Sequence, residues 1–257
     1  MLTPKIIECL LNWRVTAETA PKTVIVDPET LNTAFHRAEP HGVILKNPGT
    51  AIRPPNAESS ERDVFSNDGV ERLTNAAPTL DWQTLILLGY FVGARLRDCV
   101  QMKWENVHPE KGVIIYHQQK TGNKAIVPMH YHVIEHLKQL SKFGTDGFLC
   151  PKLANKVPGG EHGLSEGFKR IVSKAGIDPM TVEGKGTRKF TRLTFHSLRR
   201  SFNSALANAG LPKEVRMKLT GHSTKAMNEV YTHIQIDTLK NAVGALPLFT
   251  AKEEPSR

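Results

Sequence analysis

Apolar residues in this 257-residue chain recur mainly at helical spacing, and the pattern sharpens past residue 66. Ahead of that point, residues 5–14 (KIIECLLNWR) and 29–39 (ETLNTAFHRAE) carry short helical stretches. Ser66 is placed to cap a helix over SNDGVERLTNAA, although Gly69 weakens it. Residues 79–93 (TLDWQTLILLGYFVG) are apolar nearly all round, which predicts a buried helix stopped by Gly93. Leu96, Cys99, Val100 and Trp104 then repeat at helical spacing. The pattern changes at GVIIYHQ (112–118) and KAIVPM (124–129), two β-branched runs joined by QKTGN, the signature of a hairpin with glycine at its turn. Helical spacing returns over 131–142 (Val133, Ile134, Leu137, Leu140) and again in LSEGFKRIVSKAG from Leu164. A helix from about residue 196 stops at Gly210, and Pro212 suits the first turn of the next.

Between these patterns lie three stretches without periodicity, one of them a loop rich in Gly, Pro and Asn at 151–163. Residues 47–66 (NPGTAIRPPNAESSERDVFS) are rich in proline, serine and charge, which makes them a linker between a short helical segment, 1–46, and the remainder, 67–257. Residues 176–192 are basic and contain glycine.

Charge sharpens the division. The formal net charge is +9, yet residues 1–79 hold 8 Lys and Arg against 10 Asp and Glu, so the excess lies beyond them. Lys169–Arg200 alone carries 9 basic and 2 acidic residues, which points to a polyanion such as nucleic acid or an acidic membrane. Cys9, Cys99 and Cys150 are too few and too scattered for a disulfide framework or a cysteine-rich zinc site, and a reducing cytosolic compartment fits. No signal-peptide pattern opens the chain, and the apolar run 84–92 is too short to span a bilayer.

The chemistry sits in four pieces: GARLRD (93–98), QKTGN (119–123), HSLR (196–199) and GHSTKAMNEVYTH (221–233). His196, Arg199 and Arg200 fall at the start of a helix, where free N–H groups disfavour cations and favour anions. Gathering cations there makes sense if an anion is bound among them. Taken singly, each piece is common. KTG also occurs in penicillin-recognising enzymes, but this chain has no S-x-x-K partner.

Together and in this order, the four resemble the tyrosine recombinases, the phage-integrase type of DNA breaking and rejoining enzyme, over about residues 60–245. The resemblance implies a mainly α (α+β) fold, in which a helical catalytic domain carries a small three-stranded antiparallel sheet. A core-binding, SAM-like helical segment precedes it, here shortened to 1–46. Arg95 matches the family's G-x-R arginine and Lys120 its hairpin lysine. H-x-L-R supplies His196 and Arg199, L-x-G-H supplies His222, and Tyr231 stands nine residues on as the nucleophile.

Each residue type suits its implied role. Two guanidiniums grip the non-bridging oxygens of a scissile phosphate bidentately, and His222 adds a hydrogen bond to the same oxygens. Tyr231 needs a base, since a free phenol has a pKa of about 10, and His196 is assigned that proton. Lys120 protonates the departing 5′-oxygen. Lys185, Arg188, Lys189, Arg192 and Arg200 are expected to contact backbone phosphates without reading sequence. No cofactor and no metal are implied, because the arginines do what Mg²⁺ does elsewhere.

The implied partner is duplex DNA, engaged by a homotetramer on paired sites and coupled through a tail helix at 237–249. An accessory DNA-bending or excision factor is a further expected partner. The setting is the prokaryotic cytoplasm, nucleoid-associated, with no membrane. Integration or resolution of a mobile element is the expected role. The rivals are a type IB-like topoisomerase, and a decayed integrase that binds DNA without cutting.

The chain departs from the family pattern at Arg97, at Asp98 where the buried supporting acid is more often Glu, at Arg200 where His is frequent, and in its short N-terminus. His130, His132 and His136 have zinc-like spacing, but no cysteine or carboxylate joins them, and Trp82 and Trp104 read as core.

Overall fold

A computed structural model describes residues 3–16, 21–50, 63–141, 147–160, 163–179, 181–183 and 189–221. By its contacts the chain divides into two compact units, Met1–Arg62 with Met180–Arg192 and Asp63–Pro179 with Leu193–Arg257. The division after Arg62 falls inside the stretch read from sequence as a linker.

In the first unit α1 (Pro4–Thr16) packs on α2 (Pro21–Ala38) and buries Ile7 and Leu11. Helix α2 begins well before the apolar spacing suggested and carries Pro28 inside it. The basic stretch contributes two short antiparallel strands, β4 (Thr181–Glu183) and β5 (Lys189–Thr191), which its composition did not announce.

The second unit holds the main core. Helix α3 (Asn67–Ala76) starts where Ser66 accepts from the Gly69 N–H, and α4 (Leu80–Leu87) where Thr79 accepts from the Trp82 N–H. Each cap satisfies one of the free donors of a helix start, worth ~1 kcal/mol. The apolar run after α4 continues as a π-helical turn, Leu88–Val92, which lies against a later helix, α8 (Phe195–Asn208). It ends at Gly93, as the sequence predicted, but in left-handed conformation with φ 65°.

Helix α5 (Leu96–Val100) is shorter than its apolar spacing suggested, and Trp104 sits in a 3₁₀ turn after it. Three antiparallel strands follow in the order β1 (Val107–His108), β2 (Val113–His117), β3 (Lys124–Pro128). On β2 the inward positions are Ile114 and Tyr116, paired with Val127 and Ala125 of β3. Helices α6 (Tyr131–Ser141), α7 (Leu164–Lys174) and α9 (Lys213–Thr220) complete the unit, and Phe168, Ile171 and Leu198 fill the core with Leu73, Leu85 and Ile86. The unit's first residues are tied to α8 by a hydrogen bond from the Phe65 N–H to Ser201 Oγ, 2.7 Å long. Among the described residues no helix is long and apolar enough to cross a membrane.

Candidate active site

The first element of the site is built by the end of the π turn. An added Cβ at Gly93 would lie 2.4 Å from Phe202 Cδ1, and its φ already disfavours any L side chain. This close approach to α8 lets the Gly93 carbonyl accept a hydrogen bond from Arg199 Nη1. Two residues on, Arg95 caps α5 in extended conformation. Its Nη1 donates to Gln118 Oε1 at 2.9 Å and lies 3.8 Å from the Asp98 carboxylate, which is buried. Asp98 also accepts from the Gln119 N–H at 2.9 Å, so one acid serves both the arginine and the hairpin backbone.

The second element is the start of α8. Thr194 and Ser197 form a capping box that closes the first turn, which leaves His196 and Arg199 one turn apart on one face. Arg199 is 1% exposed. A guanidinium buried so deeply needs its donors matched, and backbone carbonyls do this on two sides: Gly93 takes Nη1 and Thr220 takes Nη2. The Thr220 carbonyl is one of the orphan acceptors at the end of α9. It also accepts from Gln118 Nε2, at 3.1 Å.

The third element is the hairpin. Strand β2 keeps alternating past its last residue, so Gln118 follows Ile114 and Tyr116 on the inner side and is fully buried. The turn closes with Gln118 N–H donating to Asn123 C=O at 2.9 Å and Gly122 N–H to Gln118 C=O at 2.8 Å. Thr121 Oγ1 donates to Gln118 Oε1 at 3.0 Å. Lys120, at the tip, is exposed.

The Tyr116 hydroxyl is buried and has no hydrogen-bond partner among the described residues. Desolvation is the main force that pushes its pKa far up, with Cys99 and Asp98 adding to it while Arg199 and Arg95 pull it down. It stays a neutral phenol.

The structure therefore joins Arg95 and Arg199 through one buried amide and one carbonyl, with His196 a turn from Arg199 and Lys120 on the adjoining hairpin. His222, Tyr231 and the tail at 237–249 lie outside the described residues, as do Lys185 and Arg188. Lys189 is in β5 with its side chain outside the description, and Arg192 is half-buried. Arg200, expected to contact backbone phosphate, is 6% exposed on α8. Of the zinc-spaced histidines, His136 turns inward. Its Nε2 is 2.7 Å from Thr84 Oγ1, whose own hydrogen goes to Leu80 C=O at 2.8 Å, so the imidazole is the donor. Sequence reading missed Gln118 and the Gly93 and Thr220 carbonyls. The period-2 pattern of β2 carried a signal for Gln118, a polar residue at an inward position; backbone acceptors leave none.

The phage integrase family model matches residues 63–237. Tyrosine recombinase XerA of Pyrococcus horikoshii is 23% identical over 203 residues, 77% of this chain and 66% of that protein. XerD of Listeria innocua is 26% identical over 231 residues, 86% of this chain and 75% of that one. A lambda integrase tetramer bound to a Holliday junction superposes with a TM-score of 0.68 at 23% identity, covering 90% of this chain and 65% of that chain. The chain thus spans just under two thirds of the length of this XerA and of the lambda integrase chain.

Proposed function

The chain belongs to the phage integrase family, and on that premise we propose that it is a tyrosine-type site-specific recombinase. It cuts and rejoins duplex DNA of a mobile element, in the cytoplasm of a prokaryote. The observation that carries this reading is the pair of guanidiniums, Arg95 and Arg199, held by one hydrogen-bonded network beside the start of α8. Two fixed forks of N–H donors suit the two non-bridging oxygens of a phosphodiester, whose negative charge grows as a nucleophile adds. Guanidiniums anchored by some of their N–H groups hold the remaining donors in place, so little reorganisation is needed when that charge appears.

The reaction then runs as a transesterification. Tyr231 Oη attacks the scissile phosphorus as His196 takes its proton. The bond to the 5′-oxygen breaks, and Lys120 gives that oxygen a proton. The chain is left joined to a 3′-phosphate, and His222 hydrogen-bonds the same oxygens as the arginines. Attack by a 5′-hydroxyl reverses the step without a nucleotide cofactor. Tyr116 is no rival nucleophile, since burial keeps its hydroxyl protonated. Assembly as a tetramer on paired sites, with an accessory DNA-bending factor, extends the proposal. Backbone contacts by Lys185, Arg188, Lys189 and Arg192 extend it too. A topoisomerase would relax supercoils without exchanging strands between two sites.

The test is covalent capture. Wild-type protein incubated with a nicked suicide duplex becomes attached through an acid-stable 3′-phosphotyrosine, EDTA notwithstanding, while Tyr231→Phe binds the duplex and attaches to nothing. An adduct that is acid-labile, or that persists in Tyr231→Phe, overturns the reading.

A further inference from the structure

We infer that Gln118 is a positioning residue that holds the Arg95 guanidinium in its phosphate-binding orientation; this rests on the recombinase reading above. Gln118 is completely buried although it stands next to an exposed hairpin tip. Its amide is spent at both ends. Oε1 accepts from Arg95 Nη1 at 2.9 Å and from Thr121 Oγ1 at 3.0 Å, and Nε2 donates to Thr220 C=O at 3.1 Å. Thr220 C=O is the same oxygen that receives Arg199 Nη2. One amide therefore spans three parts of the fold: the residue that opens α5, the hairpin turn, and the end of α9.

The geometry fixes the orientation of the amide as well. A donor must face the Thr220 carbonyl and an acceptor must face the guanidinium, so Gln118 has one productive flip. Gly221 marks how tightly the amide is enclosed: an added Cβ there would lie 2.0 Å from Gln118 Nε2. Arg95 otherwise has Asp98 at 3.8 Å, which compensates its charge but is beyond hydrogen-bond distance at that atom pair. The direct hydrogen bond that aims Arg95 Nη1 is the one to Gln118. Without it the guanidinium keeps its charge and loses its fixed direction, and a clamp that must reorganise in each turnover stabilises the transition state less.

Gln118→Met keeps the length and volume of the side chain and removes both the donor and the acceptor. Single-turnover attachment to a saturating suicide duplex is measured per folded protein, beside the dissociation constant for the same duplex and the thermal melt. Attachment should slow about 100-fold, the size of effect seen when one oxyanion donor is lost. Duplex affinity should stay within about threefold, since phosphate contacts elsewhere dominate it.

A second substrate separates the two cations that Gln118 adjoins. With sulfur replacing the bridging 5′-oxygen, the leaving group needs no proton, so a Lys120→Ala defect should vanish on that substrate. The Gln118→Met defect should persist, because the clamp is still required. Gln118→Glu covers the case in which the methionine variant does not fold. It retains an acceptor for Arg95 but presents a carboxylate to the Thr220 carbonyl, and its defect should shrink as falling pH restores a donor. Three results overturn the inference: wild-type rates in Gln118→Met, a defect in it that disappears on the sulfur substrate, or a Gln118→Glu defect that ignores pH. If wild-type protein itself forms no adduct, the recombinase reading fails instead.

Discussion

Two cations of the candidate site are held in opposite ways. Arg199 is buried to 1% exposure and its guanidinium is pinned by the carbonyls of Gly93 and Thr220, whereas Lys120 rides an exposed hairpin tip. Both serve one reaction in the reading above, and the difference follows from the work each does. Stabilising charge that develops on a phosphate rewards donors fixed before the reaction starts. Delivering a proton requires a group that can approach its acceptor and return, which a hydrated ammonium on a flexible stem does well. The arginines should therefore be coupled to folding, and the lysine should not.

The sharpest way to break this contrast is Arg199→Lys. The charge survives, but a single ammonium cannot serve the Gly93 and Thr220 carbonyls in the same fork geometry, so one charge-assisted hydrogen bond is lost at a cost of about 1.5–3 kcal/mol, even though Thr220 keeps its bond from Gln118. Attachment to a suicide duplex should fall by roughly 10³, and the melting temperature by several degrees. Near-normal attachment in Arg199→Lys would mean that charge alone matters and that the carbonyl pinning is incidental. Lys120→Ala should behave differently. Attachment falls by about 10², in the range of a lost general acid, while the melt is unchanged, because an exposed tip residue supports no packing. A destabilised Lys120→Ala would erase the distinction.

The same contrast explains what the sequence made legible. Residues with distinctive chemistry stand out in a sequence: order and spacing single out Arg95, Lys120, His196 and Arg199 as candidates, and the structure links the two arginines through Gln118 and the Thr220 carbonyl. Most helices and the β2–β3 hairpin followed from period, though not the start of α2, the end of α5 or the β4–β5 pair. What stayed hidden was the support. Gln118 is an amide in a run that reads HQQKTG, and only the inward register of β2 sets it apart from its exposed neighbour Gln119. Carbonyls of Gly93 and Thr220 belong to every residue alike, so no sequence pattern marks them. The burial of Arg200 stayed hidden for a related reason. A basic residue in a basic stretch reads as solvent-facing, and only the packing of α8 shows that it is turned inward. The π turn before Gly93 was invisible too, since an apolar run gives one pattern for either helical hydrogen-bond spacing.

The smallest expected effect isolates what burial does to a titratable group when no phosphate is involved. His136 lies in the contact between α4 and α6, and burial lowers its pKa below the usual value of about 6.5. In the folded chain its neutral ring donates Nε2–H to Thr84, which in turn donates to Leu80 C=O. An unfolded chain takes up the proton at higher pH than the folded one does. Below about pH 6.5 the unfolded state therefore binds more protons, and stability falls as the pH drops from there through the lowered folded value. His136→Gln keeps an N–H donor for Thr84 and removes the titration. Melts at pH 7 and pH 5 should show wild type losing on the order of 1–2 °C more than His136→Gln, a modest shift for a chain of this size. Equal losses in the two proteins would show that His136 does not titrate in that window. The low-pH sensitivity of the fold would then have to lie elsewhere than in the α4–α6 contact.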